Sequence, residues 1–179
     1  MKIISLALVS TLLLGVSAEA QAEVIEGIDV RGDTAFTERT SEALKLLKTA
    51  GQIDFLRRYV KVIISAERSG MRAYANPPTY EVGPTTWQAS TLWYAGTIAH
   101  DAYHSKLYHE AKAKKGGGEP DQNAWTGASA ERQCLDFQLK VLGDLGADSR
   151  TLDYVRGLTR NPTYQGDPNS RADYRRRSW

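Results

Sequence analysis

The spacing of hydrophobic positions changes several times along the chain, and each change predicts an element. Residues 24–30 (VIEGIDV) alternate closely enough for one strand, with Arg31-Gly32-Asp33 as the turn that follows it. Phe36, Ala43, Leu44, Leu47 and Ala50 then share a face at helical spacing. They predict a helix capped by Thr37 and stopped at Gly51. Residues 52–59 predict a short second helix, and the β-branched run 60–65 (VKVIIS) a buried strand. Two more strands are expected at 71–75 and 79–82. Pro77 and Pro78 between them have no place inside a sheet, so this region belongs at an edge.

A long helix is predicted over 86–113. Its first half, residues 89–99 (ASTLWYAGTIA), carries no charge, and a helix apolar all round must be buried centrally. Residues 114–124 (KKGGGEPDQNA) read as a flexible loop. A helix over 128–145 ends at Gly146, and a shorter one follows at 151–158. The expected fold is α+β: a helix, a small mostly antiparallel sheet, and a buried helix packed against the 128–145 helix. Residues 161–179 hold four arginines among the last nine positions and almost no aliphatics, as a surface-hugging or mobile basic tail does.

Composition narrows the class further. A chain of 179 residues builds one sizeable core rather than two. With 41% hydrophobic and 25% charged residues it falls outside the disordered and collagen-like classes. A net charge of +2 gives no general attraction to nucleic acid or to anionic lipid. One cysteine, Cys134, excludes an internal disulfide and a Cys-rich zinc site. Lys2, an uncharged apolar stretch at 3–16 and small residues at Ala18, Ala20 and Ala22 predict a signal peptide over residues 1–22. The apolar run is too short to span a membrane comfortably. The expected domain is therefore 23–160, exported to a periplasm or beyond, with no stable membrane insertion after cleavage. The Arg-Gly-Asp triplet is explained by a turn and gives no adhesion motif.

The candidate chemistry lies in the two long helices. All three histidines fall between residues 100 and 109. His100 and His104 project about 40° apart and share one face, whereas His109 points about 180° away from His100. The first two suit a tetrahedral zinc ion held by imidazole nitrogens. On the 128–145 helix, Glu131 shares an apolar face with Cys134, Leu135, Gln138, Val141, Leu142 and Leu145, while Arg132, Gln133, Asp136, Lys140 and Asp144 take the opposite one. A carboxylate inside an apolar stripe is costly unless it is paired, hydrogen-bonded or metal-bound. Glu131 is therefore the candidate third ligand, with a buried ion pair or backbone hydrogen bonds as the other readings. Cys134 is either a soft ligand or a small buried hydrophobe. Tyr103 either packs or hydrogen-bonds a developing oxyanion. Asp101 either orients an imidazole or serves as a base.

His100-Asp101-Ala102-Tyr103-His104 resembles the His-Glu-x-x-His helix of the zincin metallopeptidases, and the likeness covers residues 86–145. The resemblance implies one Zn2+ on His100 and His104, with Asp101 in the place of the family's general base. Asp101 is one methylene shorter than the family's Glu. In the gluzincin group the third ligand is a Glu on a downstream helix, which implies Glu131, 27 positions after His104. The residues that follow that Glu in the family have no match here, since Asp136 comes five positions later on the outward face. The implied function is an exported zinc metallopeptidase acting on a peptide or protein, whose edge strand would present backbone groups to an extended peptide. The alternative is a non-catalytic exported binding protein with a structural or vestigial metal. Two imidazoles and a carboxylate also suit iron and other divalent ions.

Overall fold

The computed structural model describes residues 21–160. The expected signal peptide as far as residue 20 and the expected basic tail 161–179 lie outside the described residues. The architecture is α+β, and no described helix is long and apolar enough to cross a membrane.

The chain begins with a hairpin. Strand β1 (Gln21–Ile25) pairs antiparallel with β2 (Ile28–Gly32), so residues 24–30 form parts of two strands rather than one. The reason is the turn: Glu26 and Gly27 take φ of 50° and 79°, the paired positive values that a two-residue hairpin requires. Arg57 Nε donates to the Glu26 carbonyl at 2.6 Å, and Lys48 pairs with its carboxylate at 2.9 Å, holding a non-glycine residue in that conformation. Arg31 and Gly32 belong to β2, so the triplet makes no turn. Asp33 instead caps helix α1 (Thr34–Thr49), accepting from the Phe36 amide at 2.8 Å, which leaves the expected cap, Thr37, buried inside the helix. Gly32 is required here, because a Cβ would stand 2.4 Å from the Phe36 ring. Asp33→Ala is expected to cost about 1 kcal/mol and to lower Tm by about 2–4 °C in thermal denaturation.

Helix α2 (Ile53–Tyr59) leads into β3 (Val62–Ser65), followed by β4 (Gly70–Arg72) and β5 (Thr79–Val82). The strand order is β1-β2-β3-β5-β4. The two outer pairings are antiparallel as expected, whereas β2–β3 and β3–β5 are parallel. The sheet is mixed because α1 and α2 act as a crossover that returns the chain to its starting end before β3. Strand β4 occupies the edge where the two prolines placed it.

The next helix begins later than the hydrophobic run suggested. Residues 84–87 form a single turn, α3 (Pro84–Trp87), and Ser90 then caps α4 (Thr91–Lys114) by accepting from the Trp93 amide. Helix α4 is the centre of the molecule, packed against α1, α2, the sheet and the later helices. The Tyr94 hydroxyl lies 3.0 Å from Thr40 Oγ1 and ties it to α1. Ser105 Oγ donates to the Tyr59 carbonyl at the end of α2. The expected loop ends in another single turn, α5 (Asn123–Thr126), ahead of α6 (Ala128–Asp144) and α7 (Ser149–Arg160). Gly96 lets α4 and α6 approach closely, since a Cβ there would lie 2.9 Å from Leu142. That approach brings the histidines of one helix against the inward face of the other.

Candidate metal centre

His100 and His104 on α4 meet Glu131, Cys134 and Gln138 on α6, and all five are buried. Of the residues that the helical spacing placed inward on α6, the structure buries all but Leu145, which is half-buried, and it buries Ala130 besides. The two imidazole Nε2 atoms lie 3.1 Å apart. The Glu131 carboxylate approaches His104 Nε2 at 3.2 Å and His100 Nε2 at 3.5 Å. Donors held 2.0–2.1 Å from one tetrahedral ion stand about 3.3 Å from each other, a spacing the two imidazole nitrogens approach, while each nitrogen faces a different oxygen of the one carboxylate, as in a buried ion pair.

The outer ring nitrogens are occupied. His104 Nδ1 donates to the Trp125 carbonyl at 2.6 Å, and His100 Nδ1 faces Gln138 Oε1 at 3.1 Å. A carbonyl only accepts, so the Nδ1 proton is fixed on His104, and the Gln138 oxygen does the same for His100. Both Nε2 lone pairs then point at one another beside a carboxylate, an arrangement that repels itself unless a cation stands among them. Without a metal that cation is a proton. Burial opposes a charge on His104, but Cys134 and Glu131 outweigh it and raise its pKa well above the ordinary imidazole value. Burial likewise opposes ionised Glu131, and the two histidines more than compensate, holding its carboxyl well below the usual range.

Cys134 forms a donor group with the two histidines that does not include Glu131. The ligand atoms of His100, His104 and Cys134 lie within 4.8 Å of one another, a buried group that could hold a metal ion. Burial pushes the thiol pKa up. Cys134 packs beside Leu107 and Ala130 and does not line the cleft, whereas His100, His104 and Glu131 form part of the cleft wall. The cleft has a volume of about 670 Å³ and runs past β4.

Asp101 also lines this cleft, with Tyr80 of β5 as its hydrogen-bond partner. Burial is the main cause that raises the Asp101 pKa and Glu131 adds to it, against opposition from the two histidines and Tyr80. His109 is not part of the group; it lies against Tyr59 and Tyr108, with ring centroids 6.4 and 5.2 Å away. Tyr103 packs on Phe55 and Phe137 under Lys106 and stays out of the cleft lining. The Trp125 carbonyl had no sequence signal, because any residue carries one. The Tyr80 contact had none either, since it joins a strand to a helix across the fold.

Comparisons with protein-family models, with curated proteins and with solved structures matched this chain to none of them.

Proposed function

We propose that the protein is an exported zinc hydrolase of peptide bonds, with His100, His104 and Glu131 holding one Zn2+ and Asp101 acting as general base. The observation that carries this reading is the convergence of two imidazole Nε2 atoms, 3.1 Å apart with their outer nitrogens already tied, on the two oxygens of one buried carboxylate at 3.2 and 3.5 Å. An ion bound there supplies Lewis-acid polarisation of a substrate carbonyl. The chain's own groups do the rest. Gln138 and the Trp125 carbonyl fix the imidazole orientations, and Asp101, with its proton affinity raised by burial, is suited to accept a proton at the cleft wall. Strand β4, an edge strand beside the cleft, offers backbone groups to an extended peptide. Export rests on the leader sequence. A cut after Ala20 would leave β1 whole, and a cut after Ala22 would remove its first two residues.

A second reading is favoured by Cys134. With its thiol as a fourth ligand the site would be closed, as structural zinc sites are, and the protein would bind without turnover.

Elemental analysis of residues 23–179 beside His100→Ala/His104→Ala tests the metal. About one zinc per chain is expected in the parent and none in the variant. No metal in either protein after zinc is added and the excess removed would overturn the proposal.

A further inference from the structure

Among the described residues three large hydrophobic side chains are exposed: Val24 at 73%, and Tyr74 and Tyr154 at 58% each. Two of the three line the metal-site cleft. Each is backed by a half-buried tryptophan that also lines it. Tyr154 stands 5.6 Å from Trp93, and Tyr74 stands 6.3 Å from Trp125, centroid to centroid. These pairs form two aromatic walls whose outer faces packing leaves open.

The backbone of α4, on which Trp93 alone of the four lies, gives the scale of their separation. Trp93 sits in the first turn of α4, and Trp125 is the residue whose carbonyl holds His104. From residue 93 to residue 104 the helix rises about 16 Å, and an extended peptide covers that distance in about five residues. His100 lies between these two levels on α4, and His104 at the second of them. Two arginines line the cleft, Arg68 and Arg72, the latter engaged with Glu81 at 2.9 Å and lying over the Tyr74 ring, and the Asp101 and Glu131 carboxylates line it as well. Charges of both signs give the cleft no preference for an acidic or a basic peptide, which leaves the open aromatic faces as its distinguishing feature.

We propose that the cleft selects an extended peptide carrying bulky apolar side chains about five residues apart, one received by Trp93 and Tyr154 and the other by Tyr74 and Trp125. The inference rests on the hydrolase reading above and names its substrate class.

The test uses fluorescein-labelled, end-capped alanine-rich decapeptides with two Phe residues five positions apart, two Phe residues two apart, two Glu or two Lys. Binding to the purified protein is followed by fluorescence anisotropy, with metal content measured on the same sample. The widely spaced Phe peptide is expected to bind at least about 10-fold more tightly than the Glu and Lys peptides and more tightly than the close-spaced one. Tyr154→Ala and Tyr74→Ala, both at exposed positions, are each expected to weaken it by about 2- to 12-fold. Val24→Ala, away from the cleft, should leave it unchanged. Equal binding of the Phe, Glu and Lys peptides, or no loss in either tyrosine variant, would overturn the inference. Selectivity without metal would sink the zinc reading and keep the cleft's preference. Metal without selectivity would sink only the preference.

Discussion

Glu131→Gln is expected to lower zinc affinity by more than about 100-fold. Loss of a residue that only orients a ligand costs about 10- to 100-fold, and a direct ligand should cost more. The substitution keeps the size of the side chain but removes the negative charge that faces both Nε2 atoms at 3.2 and 3.5 Å. Gln138→Leu supplies the comparison. It leaves every candidate ligand in place and removes only the acceptor of His100 Nδ1, so a loss of about 10- to 100-fold is expected. Competition titration against a chelator of known affinity measures both. Cys134→Ser completes the series: with Glu131 as third ligand it should change affinity by less than either. Cobalt substitution reads the thiol directly, because thiolate ligation gives a strong near-ultraviolet charge-transfer band that oxygen and nitrogen ligands lack. That band in the parent, lost in Cys134→Ser, would favour the closed site. A Glu131→Gln protein that binds zinc as tightly as the parent would remove Glu131 from the ligand set.

Much of this centre was legible because helical spacing is a strict geometric rule. Two histidines four apart must share a face, and a lone carboxylate among Cys134, Leu135, Gln138 and Leu142 must face inward with them; the structure buries all of these. Local backbone choices were less legible. Residues 24–30 read as one strand because the pattern is insensitive to a two-residue turn, and the positive φ at Glu26 depends on Lys48 and Arg57 from distant helices. The start of α4 was misplaced because residues 84–99 carry no charge to mark a boundary, and only residues 88–90, ending in the cap Ser90, separate the two helices. Parallel pairing of β2 with β3 follows from the crossover formed by α1 and α2, which no strand's own sequence records. The partners that hold the metal group were least legible. Trp125 contributes a backbone atom, and Tyr80 reaches Asp101 from a strand some twenty positions earlier in the chain.

On the proposed reading, Asp101 decides whether the centre turns over. In zinc-loaded protein, Asp101→Asn is expected to lower peptide hydrolysis by about 10²- to 10⁴-fold, the range for loss of a general base, while zinc content stays at the parent level. The second half of that expectation is the discriminating one. If Asp101 only oriented an imidazole, its loss would act through the ligands, and affinity and activity would fall together. The hydrogen bonds of the two Nδ1 atoms argue against that role, since Gln138 and the Trp125 carbonyl already serve it. Asp101→Glu asks the converse question. It adds one methylene toward the cleft from a helix already fixed on both sides by Tyr94 and Ser105. A base that falls short of a reacting proton gains reach by that change, so turnover should rise. A base already held in place by the Tyr80 hydroxyl would instead be pushed out of register, and turnover should fall. Tyr80→Phe separates the two cases: releasing a well-placed Asp101 should lower kcat in the parent with little change in KM, whereas releasing a recessed one should leave kcat unchanged. Zinc-loaded protein in which the parent, Asp101→Asn and Asp101→Glu are equally inert on a broad peptide library would leave the non-catalytic reading in possession, with Cys134 as the reason the site is closed.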